Sequence, residues 1–167
     1  MVRATLLVAA ALALVGCNPD PLPGTALGTY HVVAQSQTNT CGLGAPDPWT
    51  FDVQLSQQGS TLYWSFMDGS PLLSGTLDAQ AQTTISDTTQ ANVDGSEAGL
   101  GPCTMQRADQ LQLALAPGTP PVSFTGSFDY GFTVPAGSDC SDQLAASGGQ
   151  YEALPCSVTY TVTGSRN

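Results

Sequence analysis

The sequence VSFTGSFDYGFTV, residues 122–134, is the stretch that decides the fold of this protein. Apolar residues, with one glycine among them, occupy every second position, and small or polar residues fill the positions between. Alternation with a period of two predicts a β-strand that turns one face to a core and the other to solvent. The inward face expected for this strand carries three phenylalanines, Phe124, Phe128 and Phe132.

Seven other segments repeat this pattern on both sides of the central run. The expected strands cover residues 28–36, 49–56, 61–66, 73–77, 81–88, 110–115 and 157–163. Turn sequences such as Gln58-Gly59-Ser60 and Asp68-Gly69-Ser70-Pro71 join several of them. Eight consecutive strands predict an all-β domain over residues 28–167, an eight-stranded antiparallel up-and-down barrel whose closure removes both sheet edges. A two-sheet β-sandwich is the alternative, because both folds share the same alternation.

The chain begins with one basic residue, Arg3, and an apolar run that ends in Leu14-Val15-Gly16-Cys17. The run has the build of a secretory signal and is too short to span a membrane. Its last four residues resemble the lipobox of bacterial lipoproteins. The resemblance implies that residues 1–16 are a signal peptide, that Cys17 is lipidated, and that the mature chain is anchored to a membrane. The alternatives are an ordinary signal peptide followed by a chance cysteine, and an apolar helix that belongs to the fold.

Residues 17–27 follow as an expected tether. Prolines at three alternate positions, 19, 21 and 23, favour an extended, polyproline-like chain. Aspartate directly after the lipid-bearing cysteine retains lipoproteins in the inner membrane of some bacteria. Asn18 occupies that position here, so we expect the outer membrane.

The charge balance narrows the range of partners. The chain has 13 acidic residues, three arginines and no lysine, and a formal net charge of −10. Removal of the signal would leave Arg107 and Arg166 as the basic side chains of the mature protein. Nucleic acids and anionic lipid surfaces are bound through basic patches, so we expect neither. The link to the membrane would therefore be the covalent lipid.

Assigning Cys17 to a lipid leaves an even set of cysteines in an exported chain, which predicts two disulfides. The set consists of Cys41, Cys103, Cys140 and Cys156. Odd and even strands of a meander run in opposite directions, and counting them places all four cysteines at one end of the barrel. Three connectivities exist. Pairing between neighbouring strands favours Cys41–Cys156 with Cys103–Cys140, and pairing in sequence order would give Cys41–Cys103 with Cys140–Cys156.

The two ends of the domain carry a second resemblance. The first strand opens with Gly28-Thr29-Tyr30, and the last ends with Gly164-Ser165-Arg166. This resembles the calycin group of lipocalins, fatty-acid-binding proteins and avidins, in which a Gly-x-Trp strand lies beside a late arginine. Tyr30 stands where that group has tryptophan. The resemblance implies that Tyr30 and Arg166 meet in a cation–π contact at the end opposite the cysteines; a solvated Arg166 is the alternative.

Residue patterns for catalysis and metal binding are missing from the sequence. The single histidine, His31, has opposite parity to Tyr30 and is expected to face solvent. No Cys-x-x-Cys pair supports zinc, and the acidic segment from Asn92 to Glu97 has only part of the spacing of a calcium loop. We therefore expect no enzymatic activity, no cofactor and no metal.

Large rings dominate the inward face of the predicted barrel. They are Trp49, Phe51, Trp64, Phe66, Phe124, Phe128, Phe132 and Tyr160. These rings either fill the interior or line a pocket for an apolar ligand at the cysteine end. The sequence thus predicts a non-catalytic, membrane-anchored envelope lipoprotein that binds a small apolar ligand in a lipocalin-like barrel. The alternative is a structural or protein-interaction module of the envelope that uses the loops at residues 42–48 and 87–102.

Overall fold

The structure is a computed structural model that describes residues 22–42, 45–93 and 102–167. Cys17, the predicted signal segment and most of the predicted tether lie outside the described residues, as do positions 94–97 of the calcium-like segment. The described chain folds into eight antiparallel strands in a nearly closed barrel, which confirms the predicted all-β architecture. The strands are β1 (Thr25–Asn39), β2 (Trp49–Gln58), β3 (Thr61–Phe66), β4 (Leu73–Thr76), β5 (Gln82–Val93), β6 (Cys103–Leu115), β7 (Ser123–Thr133) and β8 (Cys156–Arg166).

The strand order is that of a meander in which the first strand pairs with the last. Hydrogen-bonded neighbours run β4-β3-β2-β1-β8-β7-β6-β5, so β1 pairs with β8 as well as with β2. The β7 run that decides the fold lies between β8 and β6, with Phe124 opposite Gly164 and Phe128 opposite Tyr160. The inward faces meet in one main core cluster, and Cys103, Met105 and Cys140 form a second, smaller cluster at the cysteine end.

The seam of the barrel lies between β4 and β5, the two ends of the hydrogen-bonded order. A tight turn joins these strands, in which the Asp78 amide donates to the Gln82 carbonyl at 2.8 Å. Gly75 of β4 approaches β5 so closely that a Cβ on it would lie 2.8 Å from Ile85 Cγ1. Because β4 has 4 residues and β5 has 12, β5 continues past β4 and the seam opens toward the cysteine end.

Two strands are longer than the alternation predicts. β5 continues to Val93 and β6 begins at Cys103, and the two pair without interruption from Gln82–Ala114 to Val93–Cys103. Positions 89–93, expected to belong to a loop, are therefore part of β5. The side chains from Thr88 to Asn92 are all exposed, so no buried face imposes an alternating pattern on this half of the strand. Backbone pairing with β6 holds it in place.

Both disulfides join neighbouring strands at one end of the barrel. Cys41 is bonded to Cys156 and Cys103 to Cys140, with Cα–Cα distances of 4.9 and 4.7 Å. The connectivity favoured by strand adjacency is thereby confirmed, and the pairing in sequence order is wrong. The first bridge ties the ends of β1 and β8, and the second ties β6 to the segment after β7.

The middle of the barrel and its end away from the cysteines are filled by side chains. The largest fully buried ones are Trp64, Tyr30, Tyr160 and Phe124, each at most 1% exposed. The ring of Phe124 covers Gly164 on β8, where a side chain would collide with it. Val122, expected to face inward, is 58% exposed instead, because β7 begins one residue later. Its carbonyl still accepts a hydrogen bond from the Arg166 amide, which anchors the start of β7 to the end of β8.

Candidate ligand cleft

A cleft of about 320 Å³ opens beside the seam in the half of the barrel that carries the disulfides. Its floor and one wall are apolar and come from Trp49 on β2, Phe66 on β3 and Phe128 on β7. Leu73 and Pro71 continue this wall into the turn before β4. The cleft exists because β4 is too short to cover the upper part of β5, which leaves ring faces of the interior open to one side.

The aromatic wall is held by contacts between rings. Trp49 lies 4.3 Å from Phe51 and 5.9 Å from both Phe128 and Tyr160, measured between ring centroids. Phe66 contacts Phe51 at 5.5 Å. Pairs at such distances gain stability beyond the area they bury, so the wall is preformed.

The eight rings proposed from the sequence to line a pocket divide into two groups. Trp49, Phe66 and Phe128 line the cleft, and Phe51 supports them from behind. Trp64, Phe124 and Tyr160 are core residues with no more than 1% exposure, since an eight-stranded barrel is just wide enough for its own side chains. Phe132 packs 5.1 Å from Tyr151 of the loop above β7 and lies outside the cleft lining.

A charged pair inside the barrel, Arg107 and Asp109, forms the opposite wall of the cleft. The Arg107 Nε donates to both Asp109 carboxylate oxygens at 2.9 and 3.0 Å, and Nη2 lies 2.8 Å from Oδ1. The guanidinium also lies over the Tyr130 ring, 4.6 Å from its centroid. On the sequence alone, Arg107 was assigned only a contribution to the net charge. Arg107 lies four residues before Leu111 on β6, so the two side chains lie on the same, inward face of the strand, and the sequence could have shown this.

Two more carboxylates border the cleft from either side of the seam. Asp87 has inward parity with Ile85 on β5, and Asp68 lies in the turn after β3. The Asp68 side chain accepts the Ser70 amide at 2.9 Å. Hydrogen bonds from Ser70 hold the pKa of Asp68 below its usual value, so this carboxylate is ionised at neutral pH.

Tyr30 and Arg166 stand opposite each other on β1 and β8, at the end away from the cysteines. The expected cation–π contact is nevertheless absent among the described residues, where the guanidinium over aromatic rings is that of Arg107. Gly28 explains the difference: a Cβ there would lie 2.9 Å from Arg166 Cδ, so the arginine stem runs over the glycine. Arg166 remains exposed while Tyr30 is fully buried. Burial raises the pKa of the Tyr30 phenol, and the nearby Arg166 charge partly offsets that rise.

The histidine lies on β1 and is not part of the cleft lining. His31 Nδ1 is 2.9 Å from Asp52 Oδ1 on β2, and both side chains are nearly half exposed. Within residues 22–42, 45–93 and 102–167, no group of three or more His, Cys, Asp or Glu side chains is placed to hold a metal ion. In the same ranges no helix is long and apolar enough to cross a membrane.

The fold and the cleft define an antiparallel up-and-down β-barrel with a filled interior and an aromatic side cleft. Comparison of the chain with protein-family models, with curated proteins and with solved structures found no match in any of the three.

Proposed function

We propose that this protein is a lipid-anchored lipoprotein of the bacterial envelope that binds a small apolar ligand without transforming it. The anchor is Cys17, in the lipobox-like sequence at positions 14–17. The two disulfides support a location outside the reducing cytoplasm, since such bonds persist in oxidising compartments. The tether would hold the barrel away from the membrane surface. From Asn18 we expect the anchor to lie in the outer membrane.

The observation that carries ligand binding is the aromatic cleft beside the seam. A volume of 320 Å³ is at the lower end of the range for small-molecule sites, which begins at about 300 Å³. Trp49, Phe66 and Phe128 offer ring surface that a ligand would remove from water. Because Trp64 and Tyr160 fill the barrel beneath, the ligand would lie at the side opening and not in a deep central calyx.

Native mass spectrometry of the full chain, purified from its own envelope, tests this function. We expect a retained small molecule on the wild-type protein and its loss in Trp49→Ala, which removes the largest ring of the wall. Tyr63→Ala is the matched control, because it deletes a ring from β3 that does not line the cleft. Equal ligand retention by both variants, or no ligand on any of the three proteins, would contradict the proposal.

One observation favours the second candidate, a protein-interaction module. β5 is an end strand of the hydrogen-bonded order, and its exposed stretch from Thr88 to Asn92 has no charged side chain. Edges of this kind accept an added strand from a partner. A photo-crosslinking residue at Gln90 should then trap one envelope protein, while the same residue at exposed Gln54 of β2 should not. Identical products from both positions would argue against this function.

A further inference from the structure

We propose that the cleft selects ligands that carry a positive charge on an apolar body, such as aromatic or alkyl amines. This inference rests on the proposed ligand-binding function and names the chemical class of its ligand. The cavity and its ring wall define the site; the charges around its opening decide which ligands it prefers.

The ring wall itself favours a cation. Trp49 and Phe66 present aromatic surface to the cleft, and the negative face of an aromatic ring attracts ammonium groups within about 6 Å of its centroid. Tryptophan is the strongest of the three aromatic side chains in this interaction. Neutral apolar ligands would bury the same ring surface but would gain no cation–π attraction.

Arg107, the basic residue of the cleft, is already committed to protein groups. Its Nε and Nη2 both contact the Asp109 carboxylate, and its face covers the Tyr130 ring. The charge of Arg107 is thus balanced by Asp109 at 2.8–3.0 Å, and the pair contributes little net field to a ligand.

Asp68 and Asp87 therefore make the electrostatic potential of the cleft negative. They border it from the turn after β3 and from β5, on opposite sides of the open seam, so a ligand that rests on the ring wall lies between them. An anionic ligand would meet two carboxylates and no free cation of the cleft lining. The net charge of −10 over the whole chain acts in the same direction at longer range.

Three probes with one apolar body test the preference: 1-naphthylmethylamine, 1-naphthylmethanol and 1-naphthoate. Binding is measured by isothermal calorimetry on the full chain carrying Cys17→Ser, so that no lipid or detergent competes. The attraction between an ammonium group and one carboxylate at contact distance, screened by water, raises affinity about fivefold. With two carboxylates, we expect the amine to bind at least about tenfold more tightly than the alcohol. The naphthoate should bind most weakly, and added salt should reduce the difference.

Isosteric variants assign the preference to the proposed residues. Asp68→Asn and Asp87→Asn should each weaken amine binding about fivefold and leave alcohol binding unchanged. Asp129→Asn is the control, since Asp129 lies on β7 outside the cleft lining and accepts the Ser127 hydroxyl. Equal binding of the three probes, or tightest binding of the naphthoate, would overturn the inference while the ligand-binding function stands. Binding of none of the probes would overturn both.

Discussion

The hydroxyl of Tyr30 on β1 donates a 2.6 Å hydrogen bond to the carbonyl oxygen of Pro121, which precedes β7. β8 lies between these two strands in the sheet, so the bond crosses the end of the barrel opposite the disulfides. The ring of Tyr30 packs 5.5 Å from Phe124, and both residues are buried. This contact closes the end of the barrel, the role that the calycin resemblance assigned to an arginine–ring contact.

Tyr30→Phe should reduce the free energy of unfolding by about 1–2 kcal/mol, because the buried Pro121 carbonyl loses its donor while the packing stays the same. Urea denaturation measures the change. Tyr63→Phe serves as the control, since its hydroxyl makes only an exposed 3.4 Å contact with Gln58 and its removal should cost little. An equal loss in both variants would mean that the bond to Pro121 does not stabilise the fold.

Alternation along the strands, with the meander order, was enough to predict eight antiparallel strands, the single cysteine end and the placement of Tyr30 opposite Arg166. Alternation alone did not distinguish the barrel from a β-sandwich. It could not predict where the Arg166 side chain would go, because that depends on the missing Cβ of Gly28 across the strand pair. The outer half of β5 was missed because exposed residues carry no alternation. A ring-lined pocket at the cysteine end was predicted, but its opening at the side of the barrel was not, because that opening results from the shortness of β4, a property of the seam that a pattern within one strand does not encode.

The two disulfides should differ in their contribution to stability. Cys41–Cys156 closes a loop of 115 residues and Cys103–Cys140 one of 37. In the chain-entropy description, their removal costs about 5 and about 4 kcal/mol respectively, because the longer loop restricts the unfolded chain more. Urea unfolding of the Cys41→Ser/Cys156→Ser and Cys103→Ser/Cys140→Ser pairs gives the order. A larger loss of stability in the Cys103→Ser/Cys140→Ser variant would contradict the expectation. So would a difference between the two variants that persists after their remaining bridge is reduced.

Alkaline pH should unfold the barrel through its buried tyrosines. Burial, followed by the neighbouring Tyr130 and the Asp47 charge, raises the pKa of Tyr160 from 10.0 to about 12. A phenol with a raised folded-state pKa contributes stability that is complete below pH 10 and is lost as the pH rises through about 12. The urea midpoint of the wild type should therefore fall over that window.

Tyr160→Phe removes this titration, so its midpoint should fall less steeply between pH 10 and 12. At pH 7 the variant should already be weaker, because Tyr160 donates a 3.1 Å hydrogen bond to the Pro46 carbonyl. Burial also raises the pKa of Tyr30 and of Tyr151, so a smaller slope persists in the variant. Parallel pH profiles for the two proteins would show that Tyr160 does not ionise during alkaline unfolding.

Cys17→Ser should release the protein from the membrane fraction and leave the barrel intact, because the substitution removes only the thiol that would carry the lipid. Fractionation followed by mass spectrometry measures both the location and the expected lipid mass on the wild type. Intact Cys41–Cys156 and Cys103–Cys140 bridges in the variant serve as the folding control. A variant that stays with the membrane would show that the anchor lies elsewhere in the chain.

The pair formed by Arg107 and Asp109 should show energetic coupling in a double-mutant cycle. The Asp109 side chain is 15% exposed and that of Arg107 is 38% exposed, so solvent screens the pair only in part. Arg107→Met strands a mostly buried carboxylate and should cost about 1–2 kcal/mol, after discounting for this exposure. Adding Asp109→Asn should recover part of the loss, with a coupling energy of about 1 kcal/mol in urea unfolding. Asp109→Asn alone leaves the Arg107 charge unbalanced in the cleft and should also weaken amine binding.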